Sequence, residues 1–281
     1  MDLTGRVALV TGASRGIGAG VARMLAGEGA QVVCCARTAH DGEHPLEGSL
    51  DGTVAAIREA GGSAVAVPVN LARDEDCERV VEAARSAYGP VDILINNAAV
   101  AFFGPTKDLP LSRWTVSWRV TVHATFLLSK LVLPAMIEQG WGRIVNVTSE
   151  SAIGPGAAPY SGAIVGDTAY GAQKAAIERF TQGLAEEVHA NGIGVAAIAP
   201  SLIVPTPGAL ANRQVAGADD PRAEDPEHMP AAIRLLVTDD LDAMAGRVVY
   251  SQQLLTEKGL LTGGGGLGVD PARRVSGYAR A

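Results

Sequence analysis

Tyr170 and Lys174 are the residues whose types and spacing most directly predict chemistry. They stand four positions apart, so on a helix they share one face and the ammonium of Lys174 lies beside the phenol of Tyr170. A phenol with a pKa of about 10 exchanges protons poorly at neutral pH, but an adjacent cation stabilises the phenolate and lowers that pKa. The pair therefore predicts that Tyr170 acts as an acid/base.

A glycine-rich loop near the N-terminus predicts a binding site for the phosphates of a nucleotide. The apolar run Val7–Val10 leads into this loop, and a helix begins near Gly16. The loop reads Thr11-Gly12-Ala13-Ser14-Arg15-Gly16-Ile17-Gly18. Glycines let the backbone turn tightly and approach a pyrophosphate, and the positive end of the helix dipole faces that charge. Similar turns also simply connect strands to helices, so the loop alone leaves both interpretations open.

These residues need a scaffold, and the pattern of the chain predicts an α/β one. Short β-branched runs alternate with amphipathic stretches, which is typical of a parallel sheet covered by helices on both faces. The predicted strands are Arg6–Val10, Gln31–Ala36, Ser63–Val69, Asp92–Asn96, Arg143–Thr148, Ile193–Ala199 and Arg247–Ser251. The predicted helices lie near 17–27, 50–60, 75–88, 111–139, 170–190 and 228–237. We therefore expect a doubly wound parallel sheet of about seven strands, with its ligand site at the carboxyl ends of the strands.

Residues 1–255 are expected to form one catalytic domain, and residues 256–281 a mobile C-terminal tail. The alternation is interrupted by polar residues 37–50, by residues 150–168, which are rich in Gly, Ala and Pro, and by residues 200–227. Long loops in a compact domain are usually functional or disordered. We expect 200–227 to form a lid over the substrate.

Composition excludes several classes of function. The 23 Lys and Arg against 30 Asp and Glu give a net charge of −7, and without a basic stretch nucleic acid is not an expected partner. The three cysteines cannot all pair, so we expect reduced thiols in a cytoplasmic protein. Neither a signal peptide nor a membrane span is expected. His40 and His44 have no nearby Cys and no acidic residue at helical spacing, so no metal site is predicted.

The motifs together resemble those of the short-chain dehydrogenase/reductase family. Its pattern of Thr-Gly-x3-Gly-x-Gly followed by Tyr-x3-Lys is matched by the loop and by the Tyr170/Lys174 pair. Further matches are Asn96–Ala99, which is similar to Asn-Asn-Ala-Gly, Arg143–Ser149, which is similar to the strand ending at the catalytic serine, and Pro200. The resemblance covers residues from about 3 to 251, and it implies a single-domain Rossmann-type fold and an oxidoreductase.

The resemblance implies a catalytic set of Ser149, Tyr170 and Lys174. Ser149 would donate a hydrogen bond to the substrate carbonyl oxygen, and Tyr170 would donate or accept the proton. Lys174 would bind the nicotinamide ribose and bias Tyr170 toward ionisation. Ser151 competes with Ser149 but lies past the family's strand end, and Tyr160 has no cation four residues on. A turn serine that merely ends the strand remains the alternative for Ser149.

The resemblance also predicts a cofactor and the residues that bind it. These are Gly12, Ser14, Arg15, Gly16, Ile17, Gly18, Arg37, Asn70, Leu71, Asn97, Tyr170, Lys174 and Ile203. Members that prefer NAD carry an acid at the end of the second strand, where this chain has Ala36 followed by Arg37. Guanidiniums of Arg15 and Arg37 suit charge-assisted bonds to a 2′-phosphate, so NADP(H) is predicted. The alternative is that both arginines are solvated surface charges.

Two departures from the family pattern bear on function. Thr121 replaces an asparagine that helps to hold a water in the family's proton relay, and Asn70 replaces an aspartate that contacts the adenine amine. The predicted function is hydride transfer between NADP(H) and a carbonyl or secondary alcohol, with Tyr170 as acid/base. Thr121 keeps open the alternative of an NADP(H)-binding sensor or structural subunit with little turnover.

Substrate and assembly are less sharply indicated. Apolar residues near strand-end loops suggest an apolar or aromatic carbonyl compound; they are Ala101, Phe102, Phe103, Ile153, Leu202 and Ile203. The loop after Arg37 weakly resembles the hydroxysteroid dehydrogenase-like branch of the family. Family members commonly pair through the two long helices, here 111–139 and 170–190, so a homodimer or homotetramer is expected.

Overall fold

The structure is a computed structural model that describes residues 2–154, 158–159 and 166–270. Its sheet contains seven parallel strands in the order β3-β2-β1-β4-β5-β6-β7. The strands are β1 Val7–Thr11, β2 Gln31–Ala36, β3 Ser63–Pro68, β4 Ile93–Asn96, β5 Gly142–Val147, β6 Ile193–Ala199 and β7 Val248–Tyr250. The predicted doubly wound sheet is confirmed, and each strand ends within one residue of its predicted bounds.

The helices cover both faces of this sheet. They are α1 Gly16–Gly27, α2 Leu50–Glu59, α3 Asp74–Ala87, α4 Leu111–Trp118, α5 Ala124–Gln139, α6 Thr168–Val188, α7 Pro207–Ala211, α8 His228–Thr238, α9 Leu241–Met244 and α10 Ser251–Glu257. A π-helical turn, Arg119–His123, divides the helix predicted over 111–139 into α4 and α5. Helices α7, α9 and α10 were not predicted, because segments this short show too little of the helical period.

Each face of the sheet has its own apolar core, which explains the almost continuous hydrophobic runs of the strands. Every residue of β1, β5 and β6 is buried. One core includes Val21, Leu25, Ile57, Ile233 and Leu254 from α1, α2, α8 and α10. The other includes Val80, Leu128, Val132 and Leu184 from α3, α5 and α6. The chain reverses direction across the sheet at β1 and β4, where such folds bind ligands.

The stretch that begins at Thr256 contacts the domain as far as the structure describes it. The N–H of Gly265 donates to Gln252 Oε1 at 2.9 Å, and the N–H of Leu267 donates to the carbonyl oxygen of Ser201 at 3.0 Å. Leu267 is itself buried. Residues 258–270 therefore lie against the domain, and residues 271–281 are outside the described part of the chain.

One helical stretch, Leu111–Gln139, has the length and composition of a membrane span, and the mean hydropathy over an 18-residue window of it is 1.6. The interrupted apolar runs of the sequence had predicted no membrane span. In the fold the stretch contacts α3 and α6, and 44% of that window is buried. Core helices of globular proteins meet the same test, so length and composition alone are weak evidence for a membrane.

Candidate active site

The glycine loop closes against β4 in a way that excludes larger side chains. Gly12 has a φ of +68°, and a Cβ built there would lie 2.8 Å from Asn97 Nδ2. A Cβ on Gly18 would overlap the carbonyl oxygen of Gly12. The positive φ of Gly12 and the close approaches at both positions require glycine at 12 and at 18.

The first turn of α1 presents its backbone N–H groups without a side-chain cap. Arg15 is the N-cap residue, its backbone is extended, and no described side chain bonds to this helix end. The first N–H groups of a helix have no intrahelical partner, and together with the helix dipole they attract an anion. The cradle of Gly16, Ile17 and Gly18 therefore fits a phosphate group.

Thr11 and Asn97 join the two strand ends that flank this loop. Thr11 Oγ1 donates to the carbonyl oxygen of Ile95 at 3.1 Å and accepts from the N–H groups of Asn97 and Ala98 at 2.9 and 3.0 Å. Asn97 Nδ2 in turn donates to the carbonyl oxygen of Thr11 at 2.8 Å. The loop is thus held at the point where the strand order reverses.

A cleft of about 320 Å³ opens over this region. Ten of the thirteen predicted cofactor residues line it, namely Gly12, Ser14, Arg15, Gly16, Ile17, Gly18, Arg37, Asn70, Leu71 and Asn97. Sequence reasoning missed Thr206, which lines the cleft and whose Oγ1 accepts from the N–H of Ala209 at 3.1 Å to cap α7. The Thr-Pro pair at 206–207 is a helix-start signal that would have revealed it.

Arg15 and Arg37, predicted as a pair, have different surroundings. Arg15 donates from Nε to the carbonyl oxygen of Glu47 at 2.9 Å and from Nη2 to that of Gly48 at 2.8 Å. Its Nη2 also lies 3.2 Å from Thr38 Oγ1. Burial and the nearby Arg37 charge lower the pKa of Arg15. Arg37 is exposed at the cleft and has no ion pair with the described residues, so its guanidinium is the more available of the two.

Asn70 lies at the cleft with part of its hydrogen-bonding capacity in use. Its backbone N–H donates to Asp76 Oδ2 at 2.7 Å, and its Oδ1 accepts from the N–H of Ala72 at 3.2 Å. A carboxamide oxygen has two lone pairs, so Oδ1 can accept one further bond. This geometry is compatible with the predicted contact to an adenine amine.

Ser149 and Tyr170 meet just past the carboxyl end of β5. Ser149 is the second residue after β5, and Tyr170 lies in the first turn of α6. Their side chains are hydrogen-bonded to each other. Phe103 packs edge-on against the Tyr170 ring, with 5.9 Å between ring centres. The predicted acid/base and the predicted hydrogen-bond donor therefore face one location, next to an apolar side chain.

Lys174 lies behind this pair and is buried. Its Nζ donates to the carbonyl oxygen of Val147 at 2.7 Å and lies 5.5 Å from the centre of the Tyr170 ring. Burial lowers the pKa of Lys174 to about 8, and the Glu178 carboxylate opposes that shift. Thr148, not identified from the sequence, donates from Oγ1 to Glu178 Oε1 at 3.1 Å.

The expected lowering of the Tyr170 pKa is wrong for this structure. Burial, and after it the charge of Asp167, raise the pKa of Tyr170 to about 12, and the hydrogen bond with Ser149 only partly offsets them. Loss of solvation is the largest cause of this shift, and the Lys174 ammonium donates to the Val147 carbonyl oxygen. Tyr170 holds its proton firmly at neutral pH.

Thr121 lies buried in the π-helical turn between α4 and α5. Its Oγ1 accepts from the N–H of Val100 at 3.4 Å, and its carbonyl oxygen accepts from Thr125 Oγ1 at 2.8 Å. Turns of this kind are frequent at functional sites. Both polar groups of Thr121 therefore already have protein partners.

Tyr170, Lys174 and Ile203 are the three predicted cofactor residues that do not line the cleft, and of these only Ile203 lies outside α6. The N–H of Ile203 donates to the carbonyl oxygen of Arg222 at 2.9 Å, and its carbonyl oxygen accepts from the N–H of Glu224 at 3.0 Å. These bonds close the loop 200–227 on itself. Its backbone groups are thus committed within the protein.

Two further observations concern predicted residues. Cys34, Cys35 and Cys77 are buried and unpaired, and burial raises their pKa values. Tyr160 lies outside the described residues. Within the described ranges no group of three or more His, Cys, Asp or Glu could hold a metal ion.

Comparisons with known proteins give the context of this site. A family model described as short chain dehydrogenase matches residues 6–214. The chain is 32% identical over 204 residues to the ketoacyl reductase HetN of Nostoc sp., covering 73% of this chain and 66% of that protein. It is also 32% identical over 288 residues to a short chain dehydrogenase of Pseudocercospora fijiensis, covering 96% and 88%. A crystal structure of a metagenomic short-chain oxidoreductase in complex with NADP matches with a TM-score of 0.71 and 30% identity, covering 89% of this chain and 98% of that one.

Proposed function

This chain belongs to the short-chain dehydrogenase family, and on that basis we propose that it transfers a hydride between NADP(H) and a small carbonyl or secondary alcohol substrate. The observation that carries the proposal is the hydrogen bond between Ser149 and Tyr170 together with the Lys174 ammonium 5.5 Å from the centre of the Tyr170 ring. A proton donor, a second hydroxyl and a cation are the groups that a carbonyl oxygen needs as negative charge develops on it.

The glycine loop and Arg37 would hold the cofactor. The uncapped N–H groups of α1 suit its diphosphate, and glycine at 12 and 18 leaves room for close approach. Arg37, exposed at the cleft, suits charge-assisted bonds to a 2′-phosphate. When bound, NADPH supplies the hydride. The NADP complex of the metagenomic relative supports this choice over NAD.

Tyr170 would act as the acid in carbonyl reduction. The phenol carries a proton at neutral pH, and its transfer to the substrate oxygen would require the pKa of about 12 to fall when the charged groups of the complete site stabilise the phenolate. Ser149 would donate a hydrogen bond to the same oxygen, which lowers the cost of the charge that forms there. Lys174 lies near enough to stabilise the phenolate left by the transfer.

The substrate would be a carbonyl compound with an apolar portion. Phe103 is partly exposed and packs on Tyr170, so it can cover the apolar side of a bound molecule. The ketoacyl reductase among the relatives acts on a carbonyl substrate of its own, which supports the reaction class. The weak resemblance to the hydroxysteroid dehydrogenase-like branch remains a prediction without a substrate.

Thr121 favours a second candidate, a nucleotide-binding sensor or structural subunit with little turnover. Its carbonyl oxygen and its hydroxyl oxygen each accept one hydrogen bond, and a hydroxyl stands where the family has a carboxamide in its proton relay. The deciding experiment follows NADPH absorbance with a panel of aldehydes and ketones, using Tyr170→Phe as the blank. Consumption that depends on Tyr170 supports the oxidoreductase, whereas tight NADPH binding without consumption supports the sensor.

We also propose a cytoplasmic homodimer or homotetramer built on the long helices, with residues 1–255 as the catalytic domain. Phe126 of α5 and Phe180 of α6 contact edge to face at 6.1 Å, and Phe126 and Trp114 are partly exposed. Such a surface suits association between copies of this chain. Sedimentation as a monomer would contradict the oligomer.

A further inference from the structure

The polar residues 38–49, which follow β2 and are here called the β2 loop, close on themselves. The N–H of Leu50 donates to the carbonyl oxygen of Thr38 at 3.1 Å. The N–H of Asp51 donates in the same way to the carbonyl oxygen of Ala39 at 3.1 Å. Compact surface loops whose ends meet like this frequently carry function. The segment that interrupts the alternation of strands and helices is therefore an ordered element with a fixed base.

Arg15 fastens the β2 loop to the glycine loop. Its Nε and Nη2 donate to the carbonyl oxygens of Glu47 and Gly48 at 2.9 and 2.8 Å, and Nη2 also lies 3.2 Å from Thr38 Oγ1. Gly48 has a φ of +100°, and a Cβ built there would lie 2.6 Å from the carbonyl oxygen of Ser14. The two loops are thus in direct backbone contact, and the Arg15 guanidinium is the anchor between them.

Leu46 is the apolar side chain that the β2 loop contributes to the cofactor cleft. It lines the cleft together with Thr38 and is partly exposed there. Its N–H donates to His44 Nδ1 at 3.1 Å, so its backbone is held within the loop. Pockets for small molecules combine apolar surface with a few polar groups, and a partly exposed leucine in a cleft has apolar surface that a ligand can cover.

The β2 loop begins at the end of the cleft where the adenosine of a dinucleotide is expected. Ala36 of β2 is paired with Pro68 of β3, so the residues that follow these two strands lie side by side at one edge of the sheet. Asn70 and Leu71, which follow β3, line the same cleft. A purine has apolar faces and a polar edge. Leu46 and Leu71 offer apolar surface, and Asn70 Oδ1 can accept from an exocyclic amine.

We propose that Leu46 is a further cofactor-binding residue, held over the adenosine end of NADP(H) by the β2 loop acting as a clamp. The inference rests on the proposed function, because it takes NADP(H) as the ligand. Apolar contact with the adenosine does not depend on the 2′-phosphate, so Leu46 contributes equally to NADPH and NADH, whereas Arg37 distinguishes them. Arg15 acts indirectly, because it holds the loop in place.

The test measures binding of ADP and of NADPH by calorimetry in Leu46→Asn, which places a polar side chain of similar size in the cleft. We expect both Kd values to rise by about 5- to 10-fold, which corresponds to losing half of the free energy of burying a leucine. Leu46→Phe should bind ADP at least as tightly as the wild type, because a ring can stack on the base. An unchanged Kd for ADP in Leu46→Asn would overturn the inference. An equal loss in Leu46→Phe would also overturn it, since both changes would then act on the loop alone.

Two further variants sharpen the experiment. Leu260→Asn makes the same change at an exposed leucine outside the cleft and should leave both Kd values unchanged. In an Arg15→Ala background the loop is released, so Leu46→Asn should weaken ADP binding less than it does in the wild type. Full additivity of the two changes would contradict the clamp. None of these measurements needs turnover. A wild-type protein that binds ADP and NADPH through Leu46 but consumes no NADPH would refute the proposed function alone.

Discussion

Lys174 donates a hydrogen bond from Nζ to the carbonyl oxygen of Val147 at 2.7 Å. Val147 is the last residue of β5, the strand that leads to Ser149, and Lys174 belongs to the helix that carries Tyr170. One buried ammonium therefore ties the strand of the hydrogen-bond donor to the helix of the acid. The same ammonium loses most of its hydration, which lowers its pKa.

Lys174→Met should change how the free energy of unfolding depends on pH. The Lys174 pKa falls from 10.5 to about 8 on folding, so between these values the unfolded chain binds more protons than the folded one. The contribution of Lys174 to the free energy of unfolding therefore rises with pH across this window, and below it the cost of burying the cation is fully present. Above pH 10 Tyr170 acts oppositely, because its pKa rises to about 12 on folding.

Thermal unfolding from about pH 7 to about pH 10 checks this sign. The wild-type protein should gain stability relative to Lys174→Met as pH rises. Lys130→Met, which removes an exposed lysine of α5, should follow the wild type. Parallel curves for wild type and Lys174→Met would show that Lys174 does not titrate in this window.

Tyr170→Phe should lower kcat by about 10²–10⁴, the usual loss for a positioned acid/base. The ring and its contact with Phe103 are kept, so NADPH affinity, measured by fluorescence titration, should be retained. Tyr88→Phe removes the hydroxyl that accepts from Ser63 Oγ on the surface and serves as the matched control. Full activity in Tyr170→Phe would remove Tyr170 from the mechanism.

Arg37→Glu should reduce the NADPH over NADH ratio of kcat/KM by about 10- to 100-fold, the effect of losing a charge-assisted bond to the 2′-phosphate. Arg15→Ala should instead raise KM for both cofactors, because Arg15 holds the loop at Glu47 and Gly48. Arg85→Glu makes the same charge change on exposed α3 and should not alter the ratio. If Arg37→Glu left the ratio unchanged, as Arg85→Glu should, the result would contradict the NADP(H) assignment.

Gly18→Ala tests the fit of the glycine loop. The added methyl would overlap the Gly12 carbonyl oxygen and lie 2.5 Å from Asn97 Nδ2. Overpacking of this kind costs about 1–3 kcal/mol, and the loop must shift to relieve it. We expect lower stability together with weaker NADPH binding, both followed by thermal unfolding with and without NADPH. Gly27→Ala, at the C-terminal end of the same helix, has no atom within 4 Å of its new Cβ. It should lower neither the stability nor the NADPH affinity.

The sequence predicts the sheet and the glycine loop well because their signals are local. Strands that are buried along their whole length appear in the sequence as apolar runs. Backbone positions that only glycine fits appear as Gly12, Gly16 and Gly18. Prediction fails where function depends on burial or on distant contacts. The raised pKa of Tyr170 follows from burial that the Tyr170/Lys174 spacing cannot reveal.

Contacts between distant segments were equally hidden from sequence reasoning. Arg15 was correctly placed at the cleft, yet its bonds to Glu47 and Gly48 depend on how the polar loop after β2 folds back. Asp167 had no motif to mark it, because its neighbour Ser151 belongs to another element. The π-helical turn at Thr121 arises within a helix whose apolar pattern is continuous.

Glu224 provides the last prediction, because its buried carboxyl group joins three segments. It accepts from the N–H groups of Ser201 and Leu202 at 3.1 Å and from Ser251 Oγ at 2.9 Å. Gln252 Nε2 also donates to it at 3.2 Å. The loop predicted as a lid is therefore anchored near both of its ends, to the start of α10 and to the end of β6.

Glu224→Ala would leave these donors buried without an acceptor, which costs about 2–4 kcal/mol of unfolding free energy. Urea denaturation should show that loss, and KM for the carbonyl substrate should rise because residues 201–203 lose their support. Asp219→Ala, an exposed change in the same loop, should preserve both quantities. Equal stability of the two variants would mean that the loop is held by its backbone bonds at Ile203 and by Leu267 rather than by the Glu224 carboxylate.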